Sequence, residues 1–138
     1  MRRRAFSGLL VATLVTLTGA ACDDNSGTPI DPSPTPTVVN ETFSGILTVN
    51  GGVTFPFASN AAGAVTARLI ALTDGAAIGM AVGTSTGTTC TAVLADDNAG
   101  FGSTIFGAVQ GAGSLCLRVY DVGKMTGSVT FTVDVEHY

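Results

Sequence analysis

The chain has 138 residues, with 6 Lys and Arg against 10 Asp and Glu, and only 12% of its residues are charged. The formal net charge of −4 excludes a nucleic-acid-binding domain, because such domains need a basic surface to meet phosphate groups. The length suits one domain of ordinary size, and an apolar fraction of 46% suits a modest core.

The first segment of the chain, residues 1–21, has the composition of an export signal. Three arginines at positions 2–4 are followed by an apolar run from Leu9 to Leu17 and then by small residues up to Ala21. The run is interrupted by threonines and is shorter than the ~20 residues that span a bilayer, which argues against a stable transmembrane helix. Because residues 3–6 also match the core of a twin-arginine signal, the general and the twin-arginine export routes both stay open.

Cys22 follows this segment directly. The small residues Gly19, Ala20 and Ala21 before it resemble the lipobox of bacterial lipoproteins, in which the cysteine is lipid-modified. The resemblance implies a lipidated Cys22 that anchors the chain to a membrane of the bacterial cell envelope, facing the periplasm or the exterior. The alternative is an ordinary cleaved signal peptide, which would leave Cys22 near a free N-terminus.

Residues 22–37 form a linker rich in Pro, Ser and Thr. Its prolines are at positions 29, 32, 34 and 36, and it has almost no large apolar residue, so it cannot contribute to a core. Such a segment favours an extended conformation, and about 15 residues reach on the order of 45 Å. We expect it to act as a spacer between the membrane and a domain at residues 38–138.

Of the three cysteines, Cys22 follows the export signal, and the other two lie in the domain at residues 38–138. If Cys22 carries lipid, Cys90 and Cys116 remain as a pair in an oxidising compartment, where a disulfide is favoured. Their loop would contribute about 3.5 kcal/mol in the chain-entropy model. Metal ligation is the alternative, but the only histidine, His137, is remote in sequence. The sequence therefore predicts a disulfide between Cys90 and Cys116.

Residues 38–138 show the period-two alternation of β-strands throughout. Eight runs alternate apolar and polar residues between turn residues, at positions 41–49, 53–57, 65–69, 78–82, 89–94, 104–109, 115–120 and 128–135. The first two runs flank Asn50-Gly51-Gly52 and predict a hairpin. Eight short strands predict an all-β fold, a single jelly-roll-like antiparallel β-sandwich.

One part of this pattern resembles a known family. The segment Asp96-Asp97-Asn98, predicted as a loop, precedes a glycine-bearing turn and then the segment Gly113–Tyr120, which contains the predicted strand at 115–120. This order is similar to the bacterial pre-peptidase C-terminal domain, in which an NDD-like loop precedes a GTYYVRVY-like strand. The resemblance covers roughly residues 42–135, with Leu115 and Cys116 where the family has tyrosines. It implies an extracytoplasmic accessory or binding module and carries over no catalytic residue.

The sequence predicts no catalytic set. His137 is next to last, where we expect an exposed side chain on a fraying end rather than the base of a nucleophile. Asp96 and Asp97 lie in a polar segment, whereas general acid catalysis needs a desolvated carboxyl group. We therefore expect a non-catalytic module that binds an envelope protein or polysaccharide, or else a structural envelope component without a specific ligand.

Strand parity predicts one candidate metal site. The loops after the third, fifth and seventh strands of an antiparallel sandwich lie at one end, and they carry Asp74, then Asp96, Asp97 and Asn98, then Asp121. Oxygen ligands gathered in this way suit Ca²⁺. The alternative is a solvated acidic rim that keeps a sparsely charged protein soluble. No other cofactor is predicted.

Overall fold

The computed structural model describes residues 33–138, and Pro34–Tyr138 forms one unit. The export signal, Cys22 and most of the linker lie outside the described residues, and of Asp74 only the backbone is described. The strands are β1 Val39–Leu47, β2 Gly52–Ser59, β3 Gly63–Leu72, β4 Ile78–Thr86, β5 Thr89–Ala99, β6 Thr104–Val109, β7 Gly113–Tyr120 and β8 Val129–His137, and a 3-10 turn lies at Thr73–Gly75.

Two antiparallel four-stranded sheets pack against each other. Sheet A has the order β1-β8-β3-β6, and sheet B has the order β2-β7-β4-β5. The chain crosses between the sheets at every turn except the one between β4 and β5, which gives the strand order of a jelly roll. The predicted all-β antiparallel sandwich of eight strands is therefore confirmed.

The predicted hairpin between β1 and β2 is wrong. β1 pairs with β8 and β2 pairs with β7, so the turn after Leu47 carries the chain from sheet A to sheet B. The inward rings of Phe43 and Phe55 stack across the sandwich with their centroids 5.1 Å apart. An inward-facing row of apolar residues is common to a hairpin and to a crossing between sheets, so the alternation could not separate the two.

The core lies between the sheets and consists of the inward residues of each strand. Each such side chain, once buried, stabilises the fold by about 1.5–3 kcal/mol. The most buried members come from both sheets and are Leu47, Leu69, Ile78, Met80, Leu117, Val119, Phe131, Val133 and Val135. Their positions match the alternation of the sequence, because successive side chains of a strand point to opposite faces.

β4 is covered on both faces, since its first six residues are buried. A Cβ atom on Gly83 would lie 1.9 Å from the carbonyl oxygen of Thr91, so β5 crosses the outer side of β4 at a point where only glycine fits. The disulfide between Cys90 and Cys116 joins β5 to β7, the two neighbours of β4, with the Cα atoms 5.8 Å apart. The predicted pairing of these cysteines is confirmed.

Candidate functional site

Four loops lie at one end of the sandwich, which we call the loop end: residues 48–51, 73–77, 100–103 and 121–128. The antiparallel registers place the last residues of β1, β3, β5 and β7 at this end, as strand parity predicts. Backbone hydrogen bonds connect these loops to one another and to the strands, and the N–H of Leu69 donates to the carbonyl oxygen of Ser103 at 2.9 Å. The N–H of Asp121 donates to the carbonyl oxygen of Gly51 at 3.0 Å, and that of Gly102 donates to Leu69 at 2.8 Å.

Asp121 organises two of these loops. One carboxylate oxygen accepts the N–H of Asn50 at 2.8 Å, and the other accepts the N–H groups of Gly123, Lys124 and Met125 at 2.8, 3.2 and 3.3 Å. These bonds, with that from Asn50 the largest influence, lower the pKa of Asp121 from its ordinary value. A carboxylate offers about four acceptor positions, so the backbone already occupies this side chain.

Asp96, Asp97 and Asn98 do not form a loop, and that prediction is wrong. They belong to β5, which continues to Ala99. The register with β4 shifts here, so that Asp97 and Asn98 together face one residue of β4. The carboxylate of Asp96 accepts the N–H of Asn98 at 2.9 Å, which stabilises the bulge locally. A bulge has the polar residues of a loop, so the sequence pattern alone does not separate the two.

Tyr120 connects this bulge to β7 on the outer face of sheet B. Its hydroxyl donates a hydrogen bond to Asp97, and its ring passes over Gly79 of β4, where a Cβ atom would lie 2.2 Å from the ring. The guanidinium carbon of Arg118 lies 5.7 Å from the ring centroid, within cation–π range. We call Asp97, Arg118 and Tyr120 the tyrosine cluster.

The chemistry of the tyrosine cluster is that of a protonated phenol. The hydrogen bond to Asp97, followed by burial and by the negative charge of Asp97, raises the pKa of Tyr120 to about 12. A phenol with this pKa is neither a base nor a nucleophile at neutral pH. The cluster offers a cation, an aromatic face and a carboxylate on the surface, which are groups for contact with a partner.

The described residues give the calcium prediction no support. No group of three or more His, Cys, Asp and Glu side chains within residues 33–138 is arranged to hold a metal ion. Both carboxylate oxygens of Asp121 accept hydrogen bonds from backbone N–H groups, and the carboxylate of Asp97 accepts one from the hydroxyl of Tyr120. The side chain of Asp74 lies outside what the structure describes.

His137 is buried, so the prediction of an exposed terminal side chain is wrong. It is 1% exposed, its ring centroid lies 5.1 Å from that of Phe57, and its Nε2 atom is 3.2 Å from a carboxylate oxygen of Glu41. The strand end does not fray because the carbonyl oxygen of Tyr138 accepts hydrogen bonds from the N–H of Asn60 and the hydroxyl of Ser59. These contacts make His137 part of the packing of the sandwich.

The loop end also contains an open cavity of about 300 Å³ between the loop after β3 and the loop after β7. Hydroxyl groups and one ammonium line much of it, from Thr73, Lys124, Thr126 and Ser128. The ammonium of Lys124 is directed to the side-chain oxygen of Asn98 at 3.4 Å. This cavity is polar, and none of its described side chains is a buried charged group that would orient a ligand.

A different surface, which we call the apolar edge, lies where β5 and β6 form neighbouring edges of the two sheets. Its large apolar side chains are Val93 at 68% exposure, Leu94 at 39%, Phe106 at 69% and, in the turn between the strands, Phe101 at 76%. Between these strands is an apolar cavity of about 140 Å³, lined by residues that include Val82, Leu94, Gly107 and Leu115. Exposed large apolar side chains on neighbouring edge strands are candidates for an interaction surface.

The sequence interpretation missed the apolar edge, although one signal for it was present. Ile105 and Phe106 are adjacent in a single short strand, and neighbouring residues of a strand point to opposite faces. One of the two therefore had to point outward. The structure buries Ile105 and exposes Phe106.

No helix within the described residues is long and apolar enough to cross a membrane. Neither the models of known protein families nor the curated proteins contain a match to this chain. The resemblance to the pre-peptidase C-terminal domain stays a prediction.

Proposed function

We propose that this protein is a lipid-anchored binding module of the bacterial cell envelope, without catalytic activity of its own. Cys22 would hold it to a membrane, the linker would act as spacer, and the β-sandwich would present a surface to a partner. The domain would face the periplasm or the exterior, in keeping with an export signal and with the disulfide between Cys90 and Cys116.

The observation that carries this proposal is the apolar edge. Two of the most exposed large apolar side chains, Phe101 and Phe106, lie within six residues of each other on a rigid sandwich. Exposure of such rings to water is unfavourable, and burial of each on binding would remove on the order of 140 Å² of apolar surface from water. The partner that fits this surface best is an apolar, uncharged protein surface.

The polar groups of the domain support binding rather than catalysis. His137 is packed against Phe57, the carboxylate of Asp121 holds backbone N–H groups, and Tyr120 is a protonated phenol. Each of these side chains stabilises the sandwich or its loops. A module whose polar groups are engaged in this way offers a partner a fixed surface.

The test compares partners captured by the full chain and by two variants in intact cells. An epitope inserted in the linker at residues 22–37 leaves the sandwich unchanged, and chemical cross-linking precedes membrane solubilisation. The variant Phe101→Ser with Phe106→Ser removes both rings, and Ile46→Ser is the control. Ile46 is 64% exposed on β1, the opposite edge strand of sheet A.

We expect the double variant to lose specific cross-linked species that the wild-type chain and Ile46→Ser both retain. Identical cross-linked species in all three proteins would contradict binding through the apolar edge. Complete absence of specific species in the wild-type chain would favour a structural envelope component without a specific partner.

A further inference from the structure

β6 differs from the other three edge strands in its lack of protection against pairing. An edge strand presents unpaired N–H and C=O groups, and proteins usually block them with charges, prolines or bulges. β1 carries Glu41, β2 carries Pro56, and β5 is bulged and carries Asp96 and Asp97. β6 has none of these, and its register with β3 is regular over its whole length. Among the described residues, no strand pairs with its outer side.

The charges of the chain are distributed so that this side of the sandwich is neutral. Residues 75–95 and 98–117 contain no Asp, Glu, Lys or Arg, and these ranges include most of β5, all of β6 and the turn between them. Beside β6, the neighbouring strand β3 places the exposed Arg68 opposite Thr104, and β8 places Asp134 opposite Arg68. A cation on β3 and an acid beyond it on β8 therefore lie in register with β6, and a second copy of this chain meets no charge on β6 itself.

We propose that β6 is a homodimer interface, in which β6 pairs antiparallel with β6 of a second copy. This inference rests on the proposed function of the apolar edge as a binding surface and names its occupant. A two-fold axis at Phe106 places the two Phe106 rings opposite each other and places Thr104 opposite Ala108. All three residues point outward from sheet A, which becomes one continuous sheet of eight strands over two copies.

The area of the apolar edge indicates how tightly the two copies would bind. Phe101 and Phe106 each present on the order of 140 Å² of apolar surface at their exposures, and Val93, Leu94 and the strand backbone bring one copy to roughly 400–500 Å². A standard stable interface buries about 800 Å² per partner. The contact therefore belongs to the weak, transient class, and confinement of both copies to one membrane would raise its occupancy.

The length of the linker is compatible with this arrangement. Antiparallel pairing of β6 with itself turns the second copy end for end, so the first residues of the two β1 strands lie at opposite ends of the dimer. β1 has nine residues, about 30 Å at the rise of a strand. The linker reaches on the order of 45 Å, which is enough for both copies to be anchored in the same membrane.

The test is site-specific photo-cross-linking of the full chain in intact cells. A photoreactive phenylalanine analogue is placed at Phe106 in one sample and at Ile46 in the other, because both positions are exposed on edge strands of sheet A. We expect a species of twice the mass, containing only this chain, from position 106 and not from position 46. Equal homodimer yields at the two positions would mean mere crowding on the membrane and would overturn the inference.

The two proposals fail in different ways in this experiment. A species that joins position 106 to a different protein, without the homodimer, overturns the β6 dimer and leaves the binding function of the apolar edge in place. No species from position 106 above the yield at position 46 overturns both.

A second measurement uses charges opposite each other at the two-fold axis. Two full-length copies with different epitopes are co-expressed and cross-linked, and the yield of mixed pairs is measured. Two Phe106→Asp copies, or two Phe106→Lys copies, should lose roughly five- to tenfold in yield because like charges face each other. One Phe106→Asp copy with one Phe106→Lys copy should recover much of it. Equal yields in all combinations would contradict direct apposition of the two residues.

Discussion

Asp121 joins the loop after β1 to the loop after β7 through one carboxylate. Four backbone N–H groups donate to it, and Asn50, one of the donors, has a positive φ of 55°. Acceptance of these bonds by an anion is worth more than acceptance by a neutral group. In the sequence, Asp121 is also a candidate calcium ligand, because a carboxylate at the end of a strand can either bind a cation or accept hydrogen bonds from the backbone of a loop. The conformation of the loop decides which of these two roles the carboxylate has.

Tyr120 provides a prediction about pH at the scale of one residue. Its pKa is raised from 10.0 to about 12, first by the hydrogen bond to Asp97. The folded state therefore holds the proton more tightly than the unfolded state, so this stabilisation is complete below pH 10 and is lost as the pH rises toward 12. In Asp97→Ala, the pKa of Tyr120 should fall toward 10. Titration of phenolate by ultraviolet absorption measures this, because the chain has only two tyrosines.

The control for this titration is Asp134→Ala. Asp134 is an acid on β8 whose partner is the hydroxyl of Thr42, so its removal should leave the titration of Tyr120 unchanged. The same curve for wild type and Asp97→Ala would contradict the hydrogen bond between Tyr120 and Asp97.

At the scale of the element, β4 depends on Gly83. A Cβ atom there would meet the backbone of Thr91 at 1.9 Å, and the neighbouring disulfide at Cys90 limits how far β5 can move away. Gly83→Ala should therefore destabilise the domain by about 1–3 kcal/mol or more. Gly113→Ala is the matched control, since Gly113 lies in β7 with nothing within 4 Å of its Cβ position. Denaturant unfolding at neutral pH measures both variants, and equal midpoints would contradict the close approach of β5.

The strands could be predicted from the sequence, but most of their partners could not. Alternation with period two placed all eight strands, because each buries one face in the same core. The predictions of a hairpin after β1 and of a loop at Asp97 are wrong. The first feature depends on which sheet each strand joins, and the second is a bulge, which has the same polar residues as a loop. Pairing between β1 and β8 joins residues such as Val39 and His137, and no local pattern records a contact of that range.

The candidate sites also include some that the sequence predicts and others that depend on how the strands pair. The disulfide could be predicted from a count of cysteines and from the expectation of an oxidising compartment, neither of which needs a structure. The burial of His137 depends on pairing at the end of β8 and on hydrogen bonds to Tyr138 from the second turn of the sandwich. The apolar edge depends on which strands are left at the edges, and only the sheet order determines that.

At the scale of the whole molecule, the distribution of charge separates two surfaces. The acidic and basic side chains of the tyrosine cluster lie on the outer face of sheet B, and Asp121 lies at the loop end. The side formed by β5 and β6 is neutral over most of its length. Residues 22–138 have a net charge of −7, from three cations against ten acids, which disfavours random association of copies. Contact between copies is therefore most favourable at the neutral side.

The membrane anchor is the last prediction, and it concerns the whole chain. If Cys22 carries lipid, the wild-type protein partitions into detergent and its mass exceeds that of the polypeptide alone. Cys22→Ser should remove the added mass and weaken partition into detergent, because the variant lacks the thiol to which the lipid would be attached. Ser26→Ala in the same linker should behave as wild type. Detergent partition and mass unchanged by Cys22→Ser would contradict lipidation at Cys22, and the neutral side of the sandwich would then have to associate without confinement to a membrane.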